Sequence, residues 1–195
     1  MKIERRKDHY YQKAKKENLP ARSVYKLEEI NNKHKLIRKG DKVLDIGCAP
    51  GSWCGLAGKI TGKDGVVVGI DILPVTEENK KGIIFIQKDF FSLTPADLAH
   101  IAPSFDCVMS DAAPNTSGDR FTDHQRSLRI CEKILDISKT LLKKDGNLLM
   151  KVFQGQDFPE FYRSVKPAFK LCKTEKPQSS RKESFEVYIV CKGKL

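Results

Sequence analysis

Residues 42–55 read KVLDIGCAPGSWCG, and this stretch is the most informative one about the fold of the chain. Residues 43–46 are apolar apart from one acid and predict a buried strand, and helix-forming residues return over 51–60. Gly47 and Gly51 let the connecting loop turn sharply or approach a ligand closely. The loop contains neither G-x-G-x-x-G nor G-x-x-x-x-G-K-[ST]. It therefore matches neither the dinucleotide-binding fingerprint nor the phosphate-binding P-loop.

Apolar runs and helical segments alternate along the rest of the chain. Further strands are predicted at residues 66–70, 83–87, 105–110, 147–153, 169–174 and 185–191, and further helices at 21–36, 123–145 and 157–166, with Gly146 closing the longest helix. Because the early strands are continuously apolar, they predict a parallel sheet covered on both faces, in an α/β doubly wound architecture. The last two strands are close enough in sequence to form a hairpin with an antiparallel edge.

The composition is typical of one soluble domain. The chain has 195 residues, of which 39% are hydrophobic, and is long enough for a sizeable core. No apolar run approaches the roughly 20 residues that span a bilayer, and the basic N-terminus lacks the apolar segment of a secretory signal. The six cysteines form no CxxC pair and show no zinc-like spacing. We therefore expect a cytoplasmic protein without a metal site, whose cysteines are small buried side chains in a reducing compartment.

Positive charge is concentrated at the two ends of the chain. The net charge is +11, from 36 Lys and Arg against 25 Asp and Glu. Residues 1–40 hold 13 basic and 5 acidic side chains, residues 163–195 hold 9 and 3, and the centre holds 14 and 17. This pattern fits either a solvated surface with a basic tail or a polyanion-binding surface beside a site that handles another ligand.

Acidic residues follow the strands that come after the first. Asp71 lies 24 residues after Gly47, a spacing suited to a carboxylate that binds a ribose diol. Asp89, with Phe90 beside it, follows the third strand and suits an adenine amino group. A neutral adenosine-like ligand such as S-adenosylmethionine fits this set better than NAD does. Alternatively, the acids could be strand-end caps, the glycines a tight turn and Trp53 a core residue.

Six segments of the chain together carry a resemblance to a known family. They read LDIGCAPGSW, GIDILP, QKDF, MSDAAPNTSG, LLMKVFQG and SSRKESFEVYIV. The chain resembles, from residue 21 onward, the FtsJ/RrmJ family of RNA ribose 2′-O-methyltransferases of the RlmE type. The resemblance implies a Rossmann-like methyltransferase fold with a seven-stranded mixed sheet, helices on both faces, and S-adenosylmethionine as cofactor. The loop reads GCAPGSW where the family usually has GAAPGGW, but Cys48 and Ser52 are small, so we expect no loss of binding.

The resemblance also implies which residues form the site. The cofactor-binding positions are Gly47, Pro50, Gly51, Trp53, Asp71, Asp89, Phe90 and Asp111. The family uses a catalytic Lys-Asp-Lys-Glu set, and the matching positions, here called the tetrad, are Lys26, Asp111, Lys151 and Glu186.

The chemistry of methyl transfer explains the use of such a tetrad. The displacement at a sulfonium methyl requires mainly that the hydroxyl be aligned and its proton removed. We expect Lys151 to be the base, Asp111 to position it, Lys26 to act as the second cation near ribose or phosphate, and Glu186 to fix the lysines. Burial and a second cation favour a neutral lysine, whereas Asp111 opposes it. Lys151 could instead stay charged and orient the hydroxyl, and a noncatalytic salt-bridge cluster is the remaining alternative.

The basic ends of the chain are candidates for holding RNA phosphates beside the site. The residues concerned are Arg5, Arg6, Lys7, Lys13, Lys15 and Lys16 in an N-terminal arm over about residues 1–20, and Lys173, Lys176, Arg181 and Lys182 near the C-terminus. Tyr10 and Tyr11 could stack on a base or pack on the body of the protein. We therefore predict a single methyltransferase domain over residues 1–195 with a basic arm.

The resemblance points to a uridine in large-subunit ribosomal RNA as the target, either free or within the assembled subunit. We also expect the protein to be a monomer. The same chemistry on tRNA or an mRNA cap is the closest alternative, because sequence separates these substrates poorly. A noncatalytic RNA-binding protein on this fold is disfavoured by the intact tetrad. A nicotinamide oxidoreductase is disfavoured by the missing glycine fingerprint.

Overall fold

The protein forms one seven-stranded mixed sheet flanked by helices, in a computed structural model that describes residues 9–17, 19, 21–75, 82–181 and 183–195. The strands are β1 Lys42–Ile46, β2 Val66–Asp71, β3 Ile83–Gln87, β4 Phe105–Ser110, β5 Leu142–Phe153, β6 Phe169–Glu175 and β7 Glu186–Lys194. The helices are α1 His9–Lys16, α2 Val24–His34, α3 Ser52–Thr61, α4 Arg120–Leu141 and α5 Phe158–Val165. The predicted α/β architecture is therefore confirmed.

The order of the strands places the last strand inside the sheet. The order is β3-β2-β1-β4-β5-β7-β6, and β1 to β5 pair in parallel. β7 runs antiparallel to both β5 and β6, between which it lies. The predicted hairpin of the last two strands is present, and so is the antiparallel edge that it was expected to form. The edge strand is β6, and β7 lies beside β5, where its side chains reach the end of the sheet that carries Asp111.

The long helix ends earlier than its sequence suggests. Gly146 was expected to close it, yet α4 ends at Leu141 and β5 begins at the next residue. Asp145 takes a positive φ of 64°, and the pairing of β5 with β4 shifts register between Leu142 and Asn147. The segment KKDG has the residue types of a helix C-terminus, but here it forms an irregular start to the strand.

Helices cover both faces of the sheet because successive strand residues point to opposite sides. Leu44, Val68 and Leu148 pack with residues of α4 and α5. Val43 and Val67 pack on the other side with residues of α2 and α3. Both clusters consist of side chains that are almost completely buried, so the two helical layers hold the strand ends in fixed positions.

The interpretation of all six cysteines as small buried thiols is wrong for two of them. Cys172 of β6 and Cys191 of β7 lie opposite each other in the antiparallel register and form a disulfide. The other four cysteines, Cys48, Cys54, Cys107 and Cys131, are buried and free.

In the described ranges, no helix combines the length and apolar character needed to cross a bilayer.

Candidate active site

The loop between β1 and α3 packs closely against the loop that follows β4. Gly47 has a φ of 73°, and a Cβ there would lie 2.5 Å from Ala112 Cβ. Gly51 has a φ of 100°, and a Cβ there would lie 2.9 Å from Val75 Cγ1. Both positions therefore need glycine for backbone conformation and for space. Pro50, between them, is exposed and follows a cis peptide bond.

Asp71 lies at the carboxyl end of β2 and binds the glycine loop directly. Its Oδ2 accepts a hydrogen bond from the Ala49 N–H at 2.8 Å, and its Oδ1 accepts one from the Leu73 N–H at 2.9 Å. A carboxylate oxygen can accept more than one hydrogen bond, so the half-buried Asp71 can hold the loop and still accept from a ribose diol.

Asp89 and Phe90 lie beyond the end of β3. Asp89 is exposed and caps a short 3₁₀-helix, Phe90–Ser92, by accepting from the Phe91 N–H at 2.9 Å. Its Oδ2 accepts no hydrogen bond from the described part of the chain. Phe90 is half-buried and stacks on Phe91 with ring centroids 4.8 Å apart. This arrangement leaves one carboxylate oxygen available beside an aromatic surface.

Trp53 belongs to the core. It is only 2% exposed, and its Nε1–H donates to the carbonyl oxygen of Ser23 at 2.9 Å. Its ring centroid lies 6.0 Å from that of Tyr188. The indole therefore ties α3 to α2 and β7, and it presents almost no surface to a ligand.

Asp45, which sequence reasoning passed over, lies beneath the glycine loop. It is 1% exposed, and the Cys54 thiol donates to its Oδ2 at 3.1 Å. Burial raises the pKa of Asp45 to about 7, although the hydrogen bond from Cys54 acts in the opposite direction. The only signal in the sequence is an acid inside an otherwise apolar strand.

The structure brings the four tetrad side chains together. Lys26 Nζ lies 2.9 Å from Glu186 Oε2, and Lys151 Nζ lies 3.7 Å from Glu186 Oε1. Lys151 Nζ also lies 3.1 Å from Asp111 Oδ1 and donates to the Asp111 carbonyl oxygen at 2.6 Å. Two cations and two anions thus form one cluster without formal net charge, and both lysines are buried.

Strand register explains this convergence. Ser110 of β4 pairs with Met150 of β5, so Asp111 leaves its strand beside Lys151. On the other side of β5, Phe153 pairs with Glu186 in the antiparallel register with β7. Lys26 comes from α2, which packs over the face of the sheet that carries Tyr188, beside Trp53 of α3.

Charge and burial fix the protonation of two groups in the cluster. Burial alone would raise the pKa of Glu186, but Lys151 and Lys26 more than offset this effect and lower it to about 2. Tyr188 donates its hydroxyl proton to Asp111 Oδ1 at 2.6 Å. Burial, and then the charge of Asp111, raise the pKa of Tyr188 well above its usual value. Glu186 therefore stays ionised and Tyr188 stays protonated at neutral pH. Tyr188 was not predicted, because its role depends on the pairing of β7 with β5.

The basic segments are only partly within the described residues. Arg5, Arg6, Lys7 and Lys182 lie outside them. Lys13, Lys15, Lys16, Lys173, Lys176 and Arg181 are exposed. Tyr10 is half-buried and packs on Tyr25 with ring centroids 5.6 Å apart, whereas Tyr11 is 41% exposed. Tyr10 thus packs on the body, and Tyr11 keeps an accessible ring.

No group of three or more His, Cys, Asp or Glu is placed to hold a metal ion in the ranges that the structure describes.

Comparisons with known proteins show what this chain is similar to in sequence and in fold. The sequence model of a family described as FtsJ-like methyltransferase matches residues 19–194. A ribosomal RNA large subunit methyltransferase E from Desulfatibacillum aliphaticivorans is 46% identical over 94% of this chain and 89% of its own length. A crystal structure from Plasmodium falciparum, described as that of a ribosomal RNA methyltransferase, has a TM-score of 0.81 and 28% identity over 90% of this chain and 98% of its own. Aeropyrum pernix fibrillarin, in complex with S-adenosyl-L-methionine, shares the fold, with a TM-score of 0.59 and 14% identity over 80% of this chain and 68% of its own.

Proposed function

Because the chain belongs to the FtsJ-like methyltransferase family, we propose that it methylates the 2′-hydroxyl of a ribose in large-subunit ribosomal RNA, with S-adenosylmethionine as the methyl donor. The observation that carries this proposal is the convergence of the tetrad beside the glycine loop. Relatives named as large-subunit ribosomal RNA methyltransferases cover nearly the whole chain, which supports the choice of substrate. The target nucleotide is a uridine.

The residues around the glycine loop fit an adenosine-like group. Gly51 allows close approach to the loop, Asp71 accepts from the ribose diol, and Asp89 accepts from the adenine amino group beside Phe90. The cofactor supplies a methyl group on a sulfonium, which is an excellent leaving group. The protein therefore has to align the attacking oxygen and manage its proton.

Lys151 is the residue that receives this proton. Asp111 and the Asp111 carbonyl hold its Nζ in place, and Tyr188 in turn holds the Asp111 carboxylate. Glu186, whose pKa of about 2 makes it a very weak base, joins Lys151 to Lys26. Lys26 provides the second cation, next to the ribose or its phosphate.

A permanently charged Lys151 is the alternative within the same site. In that form the ammonium would orient the hydroxyl, and the proton would leave late in the reaction. The contacts of Lys151 with two carboxylates are compatible with both roles, because binding of the RNA hydroxyl can replace one of them. Substitution by arginine separates the two roles, as described in the Discussion.

The RNA is held by exposed basic side chains at both ends of the chain. Lys13, Lys15 and Lys16 on α1 and Lys173 on β6 contribute within the described residues, together with the arm that contains residues 5–7. We further propose that the chain acts as a monomer in the cytoplasm, as a single domain over residues 1–195, on RNA that is free or assembled into the large subunit.

The test is transfer of a labelled methyl group from S-adenosylmethionine to naked large-subunit RNA, to assembled subunits, and to tRNA and capped mRNA as competitors. The modified nucleotide is then mapped by alkaline hydrolysis. A 2′-O-methyl group blocks cleavage of the adjacent phosphodiester, because that cleavage requires a free 2′-hydroxyl. We expect one protected position in large-subunit RNA. A labelled methyl group on a base instead of a ribose would contradict the proposal. So would label that appears only in tRNA or in capped mRNA.

A further inference from the structure

Three side chains beside the starts of α4 and β7 take no part in the contacts described so far. Arg120 and Phe121 open α4, which follows the loop that leaves Asp111. Phe185 immediately precedes Glu186 at the start of β7. We name Arg120, Phe121 and Phe185 the rim cluster.

The backbone of the rim cluster is held in place by its neighbours. Asp119 caps α4 by accepting from the Thr122 N–H at 2.8 Å. The carbonyl oxygen of Phe185 accepts from the Gln154 N–H at 2.8 Å. The ring of Phe185 also packs edge-on against the buried Phe153, with centroids 4.6 Å apart. A ligand that binds here therefore does not have to order the backbone first.

The cluster combines aromatic surface with an accessible positive charge. The Arg120 guanidinium lies over the Phe185 ring, 5.9 Å from its centroid. Arg120 is exposed, and Phe121 is 63% exposed. A single exposed ring needs no explanation. Here, however, the ring follows an arginine that contacts a second ring, and that second ring is adjacent in sequence to Glu186 of the tetrad.

We infer that the rim cluster binds an unstacked nucleobase next to the nucleotide that is methylated, an inference that rests on the proposed function. Proteins that recognise single-stranded RNA stack its splayed bases on aromatic rings and on the planes of arginine side chains. The charge of Arg120 also attracts the phosphate between the two nucleotides. The target ribose lies over Lys151, and the neighbouring nucleotide reaches Phe121 and Arg120.

This contact positions the substrate and takes no part in the reaction itself. Neither Arg120 nor Phe121 makes an ion pair or a hydrogen bond to a tetrad side chain within the described residues. Their loss should therefore weaken RNA binding while the cofactor site and the tetrad stay intact. A structural role would give a different result, because it would lower the unfolding midpoint and the affinity for S-adenosylhomocysteine as well.

The experiment compares Phe121→Ala and Arg120→Ala with two matched controls. Leu171→Ala removes an apolar side chain that is 44% exposed on β6, and Arg163→Ala removes an exposed arginine on α5. The probe is a fluorescein-labelled fragment of large-subunit RNA that contains the methylated nucleotide. Its Kd is measured by anisotropy at fixed salt, and KM and kcat are measured by methyl transfer to the fragment and to assembled subunits.

We expect Phe121→Ala to raise the Kd and KM about 5- to 150-fold, which is the range for loss of one stacked base. Phe121→Tyr should stay close to wild type, because it keeps the aromatic face. Arg120→Lys should lie between wild type and Arg120→Ala, because the ammonium keeps the charge that attracts the phosphate but cannot stack on a base. The two controls should change RNA binding less than twofold, and cofactor affinity should be the same in all variants.

An unchanged Kd and KM in both alanine variants would overturn the inference. It would also be overturned by a loss seen only with assembled subunits, because the partner of the rim cluster would then be a subunit protein. Failure of the proposed function looks different, since the wild-type protein would then transfer no methyl group to any form of ribosomal RNA. A wild type that methylates RNA, together with Phe121→Ala and Arg120→Ala variants that both bind and react normally, refutes the rim cluster alone.

Discussion

Replacement of Glu186 by glutamine removes the carboxylate that joins the two lysines of the tetrad. In the folded protein the pKa of Glu186 is lowered from 4.5 to about 2. A shift of this size corresponds to about 3 kcal/mol of stability at neutral pH. Because the folded pKa is the lower one, this contribution is fully present above about pH 4.5 and is lost as the pH falls toward 2. About half of it should remain near pH 3.3, midway between the two pKa values.

Glutamine cannot ionise, so the variant lacks this pH-dependent contribution. The difference in unfolding free energy between wild type and Glu186→Gln should therefore be larger at pH 6.5 than at pH 3.3, by about 1.5 kcal/mol. Urea unfolding measures it, with the fluorescence of Trp53 as the signal. The chain has one tryptophan, and its ring lies 6.0 Å from that of Tyr188, so the signal reports on the neighbourhood of the site.

The matched control is Glu132→Gln, which removes a carboxylate from the exposed face of α4. Equal m-values for wild type and variant at each pH are required, since a changed m-value indicates a change in the denatured state or a loss of two-state unfolding. A free-energy difference for Glu186→Gln that is the same at both pH values would refute the reasoning. Glu186 would then not be held ionised by Lys26 and Lys151.

Lys151→Ala should lower the turnover rate by about 10²-fold or more and leave the Kd for S-adenosylmethionine unchanged. Lys151→Arg keeps the charge but cannot release a proton, so near-normal methyl transfer by this variant would exclude Lys151 as the base. Asp71→Ala should weaken the binding of S-adenosylmethionine by roughly 1–3 kcal/mol in calorimetry, because the variant lacks the ribose acceptor and the carboxylate that accepts a hydrogen bond from the Ala49 N–H. An unchanged Kd in a folded variant would contradict that role. Charge reversal of residues 5–7 should weaken RNA binding and flatten its salt dependence without changing cofactor affinity, whereas an unaltered salt slope would identify the arm as a solvated tail.

The parallel part of the sheet could be predicted closely from sequence. Strands β1, β2 and β4 are mostly buried on both faces, and β3 is partly exposed at the edge of the sheet. All four appear as largely apolar runs whose ends agree with the structure to within a residue. The start of β5 was missed, because Gly146 after two lysines and an acid is typical of a helix end. The chain leaves the helix at Leu141 instead, and the irregular segment around Asp145 takes its shape from pairing with β4.

For the candidate site, the sequence named candidate residues but gave few of their contacts. Motifs and the family resemblance named the tetrad and the acids at the strand ends, and strand register then determined how they meet. Tyr188 and the pairing of Cys172 with Cys191 were missed, because both depend on the position of β7 between β5 and β6. Trp53 lies in the glycine loop motif, yet tertiary packing buries it between α2 and β7.

The ion pair between Lys26 and Glu186 joins residues 160 positions apart, and it has a consequence for biosynthesis. Chains grow from the N-terminus at about 5–20 residues per second, and contacts between distant residues form late in folding. The glycine loop and strands β1 to β4 can be complete while the last strand is still being made. The tetrad therefore assembles only after β7 has been synthesised and has inserted between β5 and β6. A nascent or truncated chain that lacks β7 cannot complete the cluster, so catalytic competence should be gained only once β7 is in place.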